Sequence, residues 1–213
     1  MKLLFHSNSV QSFSQQEISD FEKILDYAYQ HEGNIHYSST YPKYRFLQYV
    51  TTNKQMLLHG SNHKNITEFV PRKQTLFNGE YVEAVFSSKD GFLPVFFAVL
   101  NRNNVIGSFR NGCFMSCNKR FYYFSINSET LKNEPWTKGI VYILPERHFS
   151  KVEKGKISFD EWISETPVQP KFKLPVNFND FLYKDKIAIH KMGESMVKTW
   201  LLYKFRTSFT KRK

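Results

Sequence analysis

Two short stretches of the chain carry the residue types from which a pocket for a polar ligand can be built. Residues 57–62 read LLHGSN, an apolar strand that ends in His59, Gly60 and Ser61. Residues 85–90 read VFSSKD, a second strand that ends in small hydroxyls. A histidine bonds hydroxyls and amides, and a glycine lets a ligand approach the backbone. Together the two strand ends predict a slot for a polar ligand.

The elements that follow the first strand come in a characteristic order. Ile66–Arg72 is followed by the strand that contains Phe86 and Ser88, and then by an apolar segment that contains Ala98. This order resembles that of the ADP-ribosyltransferase superfamily, which includes poly(ADP-ribose) polymerases, rifampin ADP-ribosyltransferases and tRNA 2′-phosphotransferases. Members commonly show a strand ending in His-Gly-Thr, a strand ending like Tyr-Ala-Thr before an Ala-rich helix, and a late strand with an acidic residue.

The resemblance covers residues 55–180 and implies that the chain transfers ADP-ribose from NAD to an acceptor. By this resemblance His59 would bond the ribose next to nicotinamide, the Gly60 backbone would hold the carboxamide, and Ser61 would complete the same binding segment. Phe86 would take the place of the tyrosine that stacks on nicotinamide, with Ser88 close to the small hydroxyl of the family. The chain departs from the family here, because phenylalanine stacks but has no hydroxyl.

An acidic residue is the third element that the resemblance requires. In the family it polarises a ribose hydroxyl and stabilises the positive charge that develops as nicotinamide leaves. Glu165 is the first candidate, because it precedes the predicted strand Phe172–Val176. Glu146, which follows a strand ending in Pro145, is the second, and Gln169 is the third, because some members replace the acid. Each of the three is equally compatible with an exposed loop position.

A polar segment between the predicted strands is rich in basic residues, asparagine and glycine. It extends over Asn101–Lys119 and includes Arg102 and Arg110. Such a loop is suited to cover the phosphates of a dinucleotide or to bind a substrate. An ordinary surface loop would have the same composition.

The cysteines and two histidines leave a metal site as an alternative. His59 and His63 are four residues apart, as are Cys113 and Cys117. Zinc sites use two cysteines and two histidines, but here about fifty residues separate the pairs and no compact knuckle is present. We therefore expect no metal. The cysteine spacing suits a helix better than a disulfide, which favours a reducing, cytoplasmic compartment.

Charge supports a second functional hypothesis of a different class. The chain has 213 residues and a formal net charge of +11, which attracts polyanions. Aromatic residues directly follow basic ones in residues 119–123, KRFYY, where rings would stack on bases and cations would contact phosphates. A non-catalytic nucleic-acid-binding module is therefore the alternative to the transferase. A third hypothesis is an interaction protein whose basic C-terminal helix docks on an acidic partner.

The hydrophobic pattern predicts helices at both ends of the chain. A capping box at Ser14–Glu17 begins a helix that ends near Gly33, and a second helix is expected over residues 42–54. Pro94 suits the first turn of a helix over Phe92–Leu100. A C-terminal helix is expected from Ile187 to Arg206.

Between these helices the pattern changes to strands. The predicted strands are Met56–Leu58, Ile66–Val70, Glu83–Ser87, Phe121–Ile126, Gly139–Pro145 and Phe172–Val176. Pro175 indicates that the last of them is an edge strand or has an irregular end. The fold class is therefore α+β, with an N-terminal helical segment (1–54), a β-rich core similar to ADP-ribosyltransferases (55–186) and a basic C-terminal helix with its tail (187–213). No stretch approaches the ~18 apolar residues of a membrane span, so no membrane partner is expected.

Overall fold

The computed structural model describes residues 3–9, 11–76, 79–116, 119–152 and 158–209. The helices in these residues are α1 (Gln15–Gln30), α2 (Lys43–Asn53), α3 (Leu93–Val99), α4 (Ser128–Lys132) and α5 (Met196–Phe209). The strands are β1 (His6–Asn8), β2 (Met56–Ser61), β3 (Arg72–Thr75), β4 (Tyr81–Ser87), β5 (Phe109–Ser116), β6 (Lys119–Asn127), β7 (Gly139–Pro145), β8 (Ser150–Lys151), β9 (Ser158–Phe159), β10 (Trp162–Ser164), β11 (Phe172–Val176) and β12 (Ile187–His190).

These strands form three sheets. The first has the order β1-β6-β5-β9, and β12 runs parallel to β6 beside it. The second has the order β3-β4-β10-β8, and the third has the order β11-β7-β2. All other pairings between the named strands are antiparallel. The fold is α+β with helices at both ends and a β-rich middle, which confirms the predicted class.

Helix α1 forms where its capping box places it. The Ser14 hydroxyl accepts from the Glu17 amide at 3.1 Å, and the Glu17 carboxylate accepts from the Ser14 amide at 2.8 Å. The apolar side of the helix is fully buried at Phe21 and Ala28. Gly33, with φ +76°, follows the helix in the left-handed region that glycine tolerates best. Local signals therefore determine both the start and the end of this helix.

Helix α3 packs unusually close to the third sheet. The Asp90 carboxylate accepts two backbone N–H groups at its start, and Pro94 lies in its first turn. A Cβ atom on Gly60 would overlap the carbonyl oxygen of Pro94, and one on Gly139 would overlap that of Ala98. Both glycines are therefore required for the helix to lie against β2 and β7.

The main core joins the N-terminal helices to the strands. Phe21 of α1, Phe46 of α2 and Phe96 of α3 pack in one buried cluster with Val141 of β7 and Leu174 of β11. Residues 1–54 and the strand-rich middle thus share one hydrophobic core. None of the helices among the described residues has the length and apolar composition needed to cross a membrane.

Three predicted elements differ from the observed ones. Ile66–Val70 forms no strand and contributes a single bridge, between Phe69 and Val168. Phe109–Ser116 of the predicted loop Asn101–Lys119 is strand β5, because β6 pairs with it along its length and overrides the turn-like Asn and Gly content. Cys113 therefore lies in a strand and not in a helix, whereas Cys117 lies outside the described residues.

The third difference concerns the C-terminal segment. Ile187–His190 is strand β12, held by β6, and the helix begins only at Met196. Gly193, with φ +71°, lies between the two. Pairing with a distant strand determines the structure here, and the local pattern does not reveal it.

Candidate functional site

A cavity of about 500 Å³ lies where the three sheets approach α3 and α5. Its volume is within the range of small-molecule sites, roughly 300–1,000 Å³. Its lining comes from β2, β4 and α3 and from β5, β6, β9 and α5. The predicted residues at the ends of β2 and β4 that line the cavity are His59, Gly60, Phe86 and Ser88.

His59 is fixed by a backbone group of the neighbouring segment. Its Nδ1 lies 2.7 Å from the carbonyl oxygen of Phe86. That oxygen can only accept, so Nδ1 carries the proton and Nε2 is an acceptor in the neutral ring. Burial lowers the pKa of His59, the Phe86 carbonyl opposes this shift, and the charges of Arg102 and Arg72 add to it. His59 is therefore neutral near pH 7 and offers Nε2 to a ligand hydroxyl or amide.

Gly60 presents its backbone to the cavity. Leu58 exchanges two backbone hydrogen bonds with Ser88, at 2.8 and 3.0 Å, and this bridge is where β2 and β4 separate. Backbone groups alternate in direction along a strand, so the N–H and C=O of Gly60 point to the same side as those of Leu58. Beyond the bridge that side is cavity. A donor and an acceptor next to each other match the two groups of a carboxamide.

The three residues at the end of β4 differ in what they contribute. The Phe86 ring lines the cavity and is partly exposed. The Ser87 hydroxyl is sealed from solvent and has no hydrogen-bond partner among the described residues. The Ser88 hydroxyl is engaged within the protein, because it donates to Asp160 at 3.3 Å and accepts from the Asp90 amide at 2.9 Å. Of the three residues, Phe86 therefore has the side chain that is open to a ligand.

None of the three predicted acidic or amide candidates lines the cavity. Glu165 follows β10 and is exposed, and Gln169 is also exposed. Glu146 forms an ion pair of 2.6 Å with Lys89. Ser61 also lies outside the lining, and its hydroxyl accepts from the His63 amide at 3.1 Å.

The carboxylates that do line the cavity are those of Asp160 and Glu161. Ile163 pairs with Phe86, so by strand alternation Glu161 lies on the face of the sheet that carries the Phe86 ring. Glu165 is four residues further along, roughly 13 Å away at about 3.3 Å per residue. The sequence gives one signal for Glu161, which belongs to an acidic pair directly before the apolar residues Trp162 and Ile163. The predicted strands do not include these two apolar residues.

Asp160 belongs to a buried polar cluster beneath the cavity. Arg120 donates to it at 2.8 Å, and the indole of Trp162 donates at 3.1 Å. Arg120 also faces Asp90 at 3.9 Å, and the Tyr122 hydroxyl donates to Asp90. Burial raises the pKa of Asp90 and Arg120 opposes the rise. Asp160 is thus engaged in internal contacts, and Glu161 is the other carboxylate among the lining residues.

One cation of the predicted phosphate loop reaches the cavity. Arg102 lines it and lies over the rings of Phe97 and Phe109, at 5.7 and 6.0 Å. Arg110 points elsewhere, because it donates to the carbonyl of Ser195 at 3.2 Å and to Thr199 of α5. A single exposed guanidinium is therefore available for a phosphate at this wall.

The structure does not assemble the alternative sites. Within the described residues no three His, Cys, Asp or Glu side chains are arranged to hold a metal, and His63 is exposed while Cys113 is buried. In residues 119–123, Phe121, Tyr122 and Tyr123 are buried at 4% exposure or less. These rings are core residues and cannot stack on bases.

Comparisons of the chain with models of protein families, with curated proteins and with solved structures find no match. A functional assignment therefore depends on the chemistry of the cavity, and the resemblance to ADP-ribosyltransferases stays a prediction.

Proposed function

We propose that the protein is an NAD-dependent ADP-ribosyltransferase. One observation carries the proposal: His59, Gly60 and Phe86 line the same cavity, and His59 uses only Nδ1 within the protein. The nicotinamide half of NAD needs an acceptor for a ribose hydroxyl, a donor and acceptor for its carboxamide, and a flat apolar surface for its ring. A histidine nitrogen, a glycine backbone and a phenylalanine ring are groups of these kinds.

A further feature supports NAD as the substrate. Arg102 lies at the cavity wall, where its guanidinium would bind the pyrophosphate. We also propose a cytoplasmic location, because Cys113 is a free thiol and free thiols suit reducing compartments.

Glu161 takes the role of the catalytic carboxylate, for which the sequence predicted Glu165 or Glu146. In the proposed reaction the bond between the ribose carbon and the nicotinamide nitrogen breaks, and its electron pair leaves with nicotinamide. A bond forms between that carbon and the acceptor nucleophile, whose proton passes to the Glu161 carboxylate and then to water. A carboxylate beside the ribose also stabilises the positive charge that develops as the bond breaks.

The test is thermal unfolding with and without millimolar NAD. A ligand that binds only the folded state raises the midpoint. We expect a rise in the wild type and none in His59→Asn, because the asparagine amide can replace Nδ1 as donor to the Phe86 carbonyl but provides nothing in place of Nε2. The matched control is His63→Asn, an exposed histidine outside the cavity, which should respond to NAD as the wild type does.

Release of nicotinamide provides the catalytic readout. Wild type and His63→Asn should release it from NAD, and Glu161→Gln should release it at least a hundredfold more slowly. Absence of any NAD-induced rise in the wild type would contradict the proposal. Equal activity of Glu161→Gln and the wild type would contradict the role of Glu161.

A further inference from the structure

Helix α5 exposes a row of apolar side chains and buries a row that contains two threonines. The exposed row is Val197, Leu201 and Phe205, which lie four residues apart and so share one face of the helix. Their exposed fractions are 62%, 59% and 65%. Thr199 and Thr207 lie on the buried side, where packed helices usually place apolar residues. We call Val197, Leu201 and Phe205 the α5 stripe.

Hydrogen bonds hold the helix in this orientation. The Thr199 hydroxyl donates to the Glu194 carboxylate at 2.9 Å. The Tyr203 hydroxyl, on the same buried side, donates to the carbonyl of Lys186 at 2.8 Å. This side of the helix also packs against β6 and β12. Rotating the α5 stripe inward would break these contacts, so the fold itself keeps the apolar row in solvent.

Exposed apolar surface is concentrated in this part of the molecule. Thirteen large hydrophobic side chains are exposed in the described part of the chain, and five of them lie within fourteen consecutive residues. These five are Met192, Met196, Val197, Leu201 and Phe205. Single exposed apolar residues need no explanation, whereas a cluster of them marks a surface that contacts a protein or a membrane.

Lysines lie along both edges of the α5 stripe. At about 100° per residue, Lys204 falls about 20° outside one edge of the stripe and Lys198 about 20° outside the other. Residues 196–209 contain no aspartate or glutamate. Glu194, just before the helix, has its two carboxylate oxygens paired with Arg206 at 2.7 and 2.8 Å. The exposed side of α5 is therefore apolar along its centre and cationic at its edges.

This charge pattern distinguishes among the surfaces that the α5 stripe could contact. Two copies of the chain joined through their stripes would place lysines against lysines, and each copy has a net charge of +11. Like charges oppose such a contact. An anionic lipid surface accepts both features, because lysine side chains extend to the headgroups while apolar side chains enter the boundary with the acyl chains.

We infer that α5 docks the protein on the surface of a membrane that contains anionic lipids. The α5 stripe enters the interface, and the lysines at its edges contact the headgroups. The helix lies along the surface and does not cross it, so docking needs no apolar stretch of the length that a span requires. The cytoplasmic leaflet is the anionic one, which suits the location proposed above. The inference does not depend on the proposed transferase activity.

Sedimentation with lipid vesicles tests the docking. One set of vesicles contains phosphatidylcholine alone, and the other contains equal parts of phosphatidylcholine and phosphatidylserine. We expect the protein to bind the anionic set about tenfold or more tightly. Val197→Ser combined with Leu201→Ser should weaken that binding about tenfold or more, because the apolar anchors are lost. Val70→Ser combined with Leu182→Ser, the same changes at exposed positions outside α5, should leave it unchanged.

A second pair of variants tests the contribution of charge. Lys198→Gln should weaken binding to the anionic vesicles about fivefold, because one cation at the interface is lost. Lys23→Gln, at an exposed position of α1, should change it less than about twofold. All the replaced side chains are exposed, so every variant should unfold at the midpoint of the wild type. Thermal unfolding of each variant checks this.

Three results would overturn the inference. Equal vesicle binding by the wild type and by the variant with Val197→Ser and Leu201→Ser would mean that charge alone attracts the protein. Equal binding to the two sets of vesicles would contradict the choice of an anionic surface. Absence of binding to both sets would exclude a lipid surface. Analytical ultracentrifugation would then distinguish a dimer that the two changes abolish from a monomer whose stripe serves another protein.

Discussion

His190 is buried and His59 is partly buried at the cavity, and only His59 has a ring nitrogen available to a ligand. The His190 ring lies between two serines, with Nε2 2.9 Å from Ser108 and Nδ1 2.8 Å from Ser125. Ser125 donates to the Ala188 carbonyl, so it accepts from His190 Nδ1, and Nε2 then accepts from Ser108. His59 uses one nitrogen internally and keeps the other. Burial lowers the pKa of both rings, so the unused nitrogen distinguishes the candidate site and the pKa shift does not.

The largest expected effect on stability comes from adding a methyl group to Gly60, the glycine beside His59. Gly60→Ala should abolish folding or reduce the free energy of unfolding by more than about 3 kcal/mol, because the new methyl group overlaps the backbone of α3. Gly193→Ala, near His190, meets no atom within 4 Å and bears only the strain of its φ of +71°, about 1–2 kcal/mol. Chemical denaturation measures both. Similar losses would show that α3 can shift away from β2.

The pH dependence of stability comes next. His190 has a pKa of about 4 in the folded protein against 6.5 in the unfolded chain, because of burial and the charges of Arg110 and Arg206. The unfolded state therefore binds more protons between these values, so stability is full above pH 6.5 and falls as the pH drops to about 4. The difference of about 2.5 units corresponds to about 3 kcal/mol. His6 should add to this loss, since its pKa is also lowered to about 4.

Replacing His190 tests how much its hydrogen bonds with Ser108 and Ser125 stabilise the fold. His190→Leu should lower the free energy of unfolding by about 1–3 kcal/mol, because Ser125 loses a partner in the core. The variant should also flatten the pH dependence between 4 and 6.5, while its response to NAD should match that of the wild type. Denaturation at several pH values provides both readouts. A loss of the NAD response in His190→Leu would mean that the two histidines are coupled.

The smallest effect is expected from Phe86→Tyr, which adds the hydroxyl of the tyrosine that the resemblance implies at this position. Phe86→Tyr should change stability by less than about 1 kcal/mol, because the ring is partly exposed at the cavity. NAD affinity should increase by up to tenfold if that hydroxyl gains a partner on the nicotinamide half. Titration with NAD would measure this, with Tyr81→Phe, an exposed position outside the cavity, as the reverse control.

The sequence predicted the parts of the fold that local signals determine. The Ser14–Glu17 capping box, Pro94 at the start of α3 and the apolar runs of β7 and β11 each act within a few residues, and all four elements were confirmed. Strands β5 and β12 depend on pairing with β6, which lies elsewhere in the chain. The residues of β5, Arg110 and Asn111 among them, match a loop equally well, and those of β12 were predicted as the start of the C-terminal helix.

The same distinction applies to the candidate site. His59 and Gly60 lie at the end of a short apolar strand, so their type and position were visible in the sequence, as were those of Phe86. The position of Glu161 at the cavity was not visible in the sequence. It depends on the pairing of β10 with β4 and not on distance along the chain. Glu165 and Glu161 flank the same three-residue strand. The pairing places the earlier of them at the cavity.

The close packing of α3 against Gly60 and Gly139 also restricts the motion of this helix. Two glycines under one short helix leave no room for it to slide or tilt, so the wall of the cavity that α3 forms is rigid before any ligand arrives. The buried amides near the end of α3 should then exchange with deuterium only when the whole domain opens, while those of the exposed strand β3 exchange through local fluctuations. A rigid wall would let a ligand bind without first ordering the site, which lowers the entropic cost of binding.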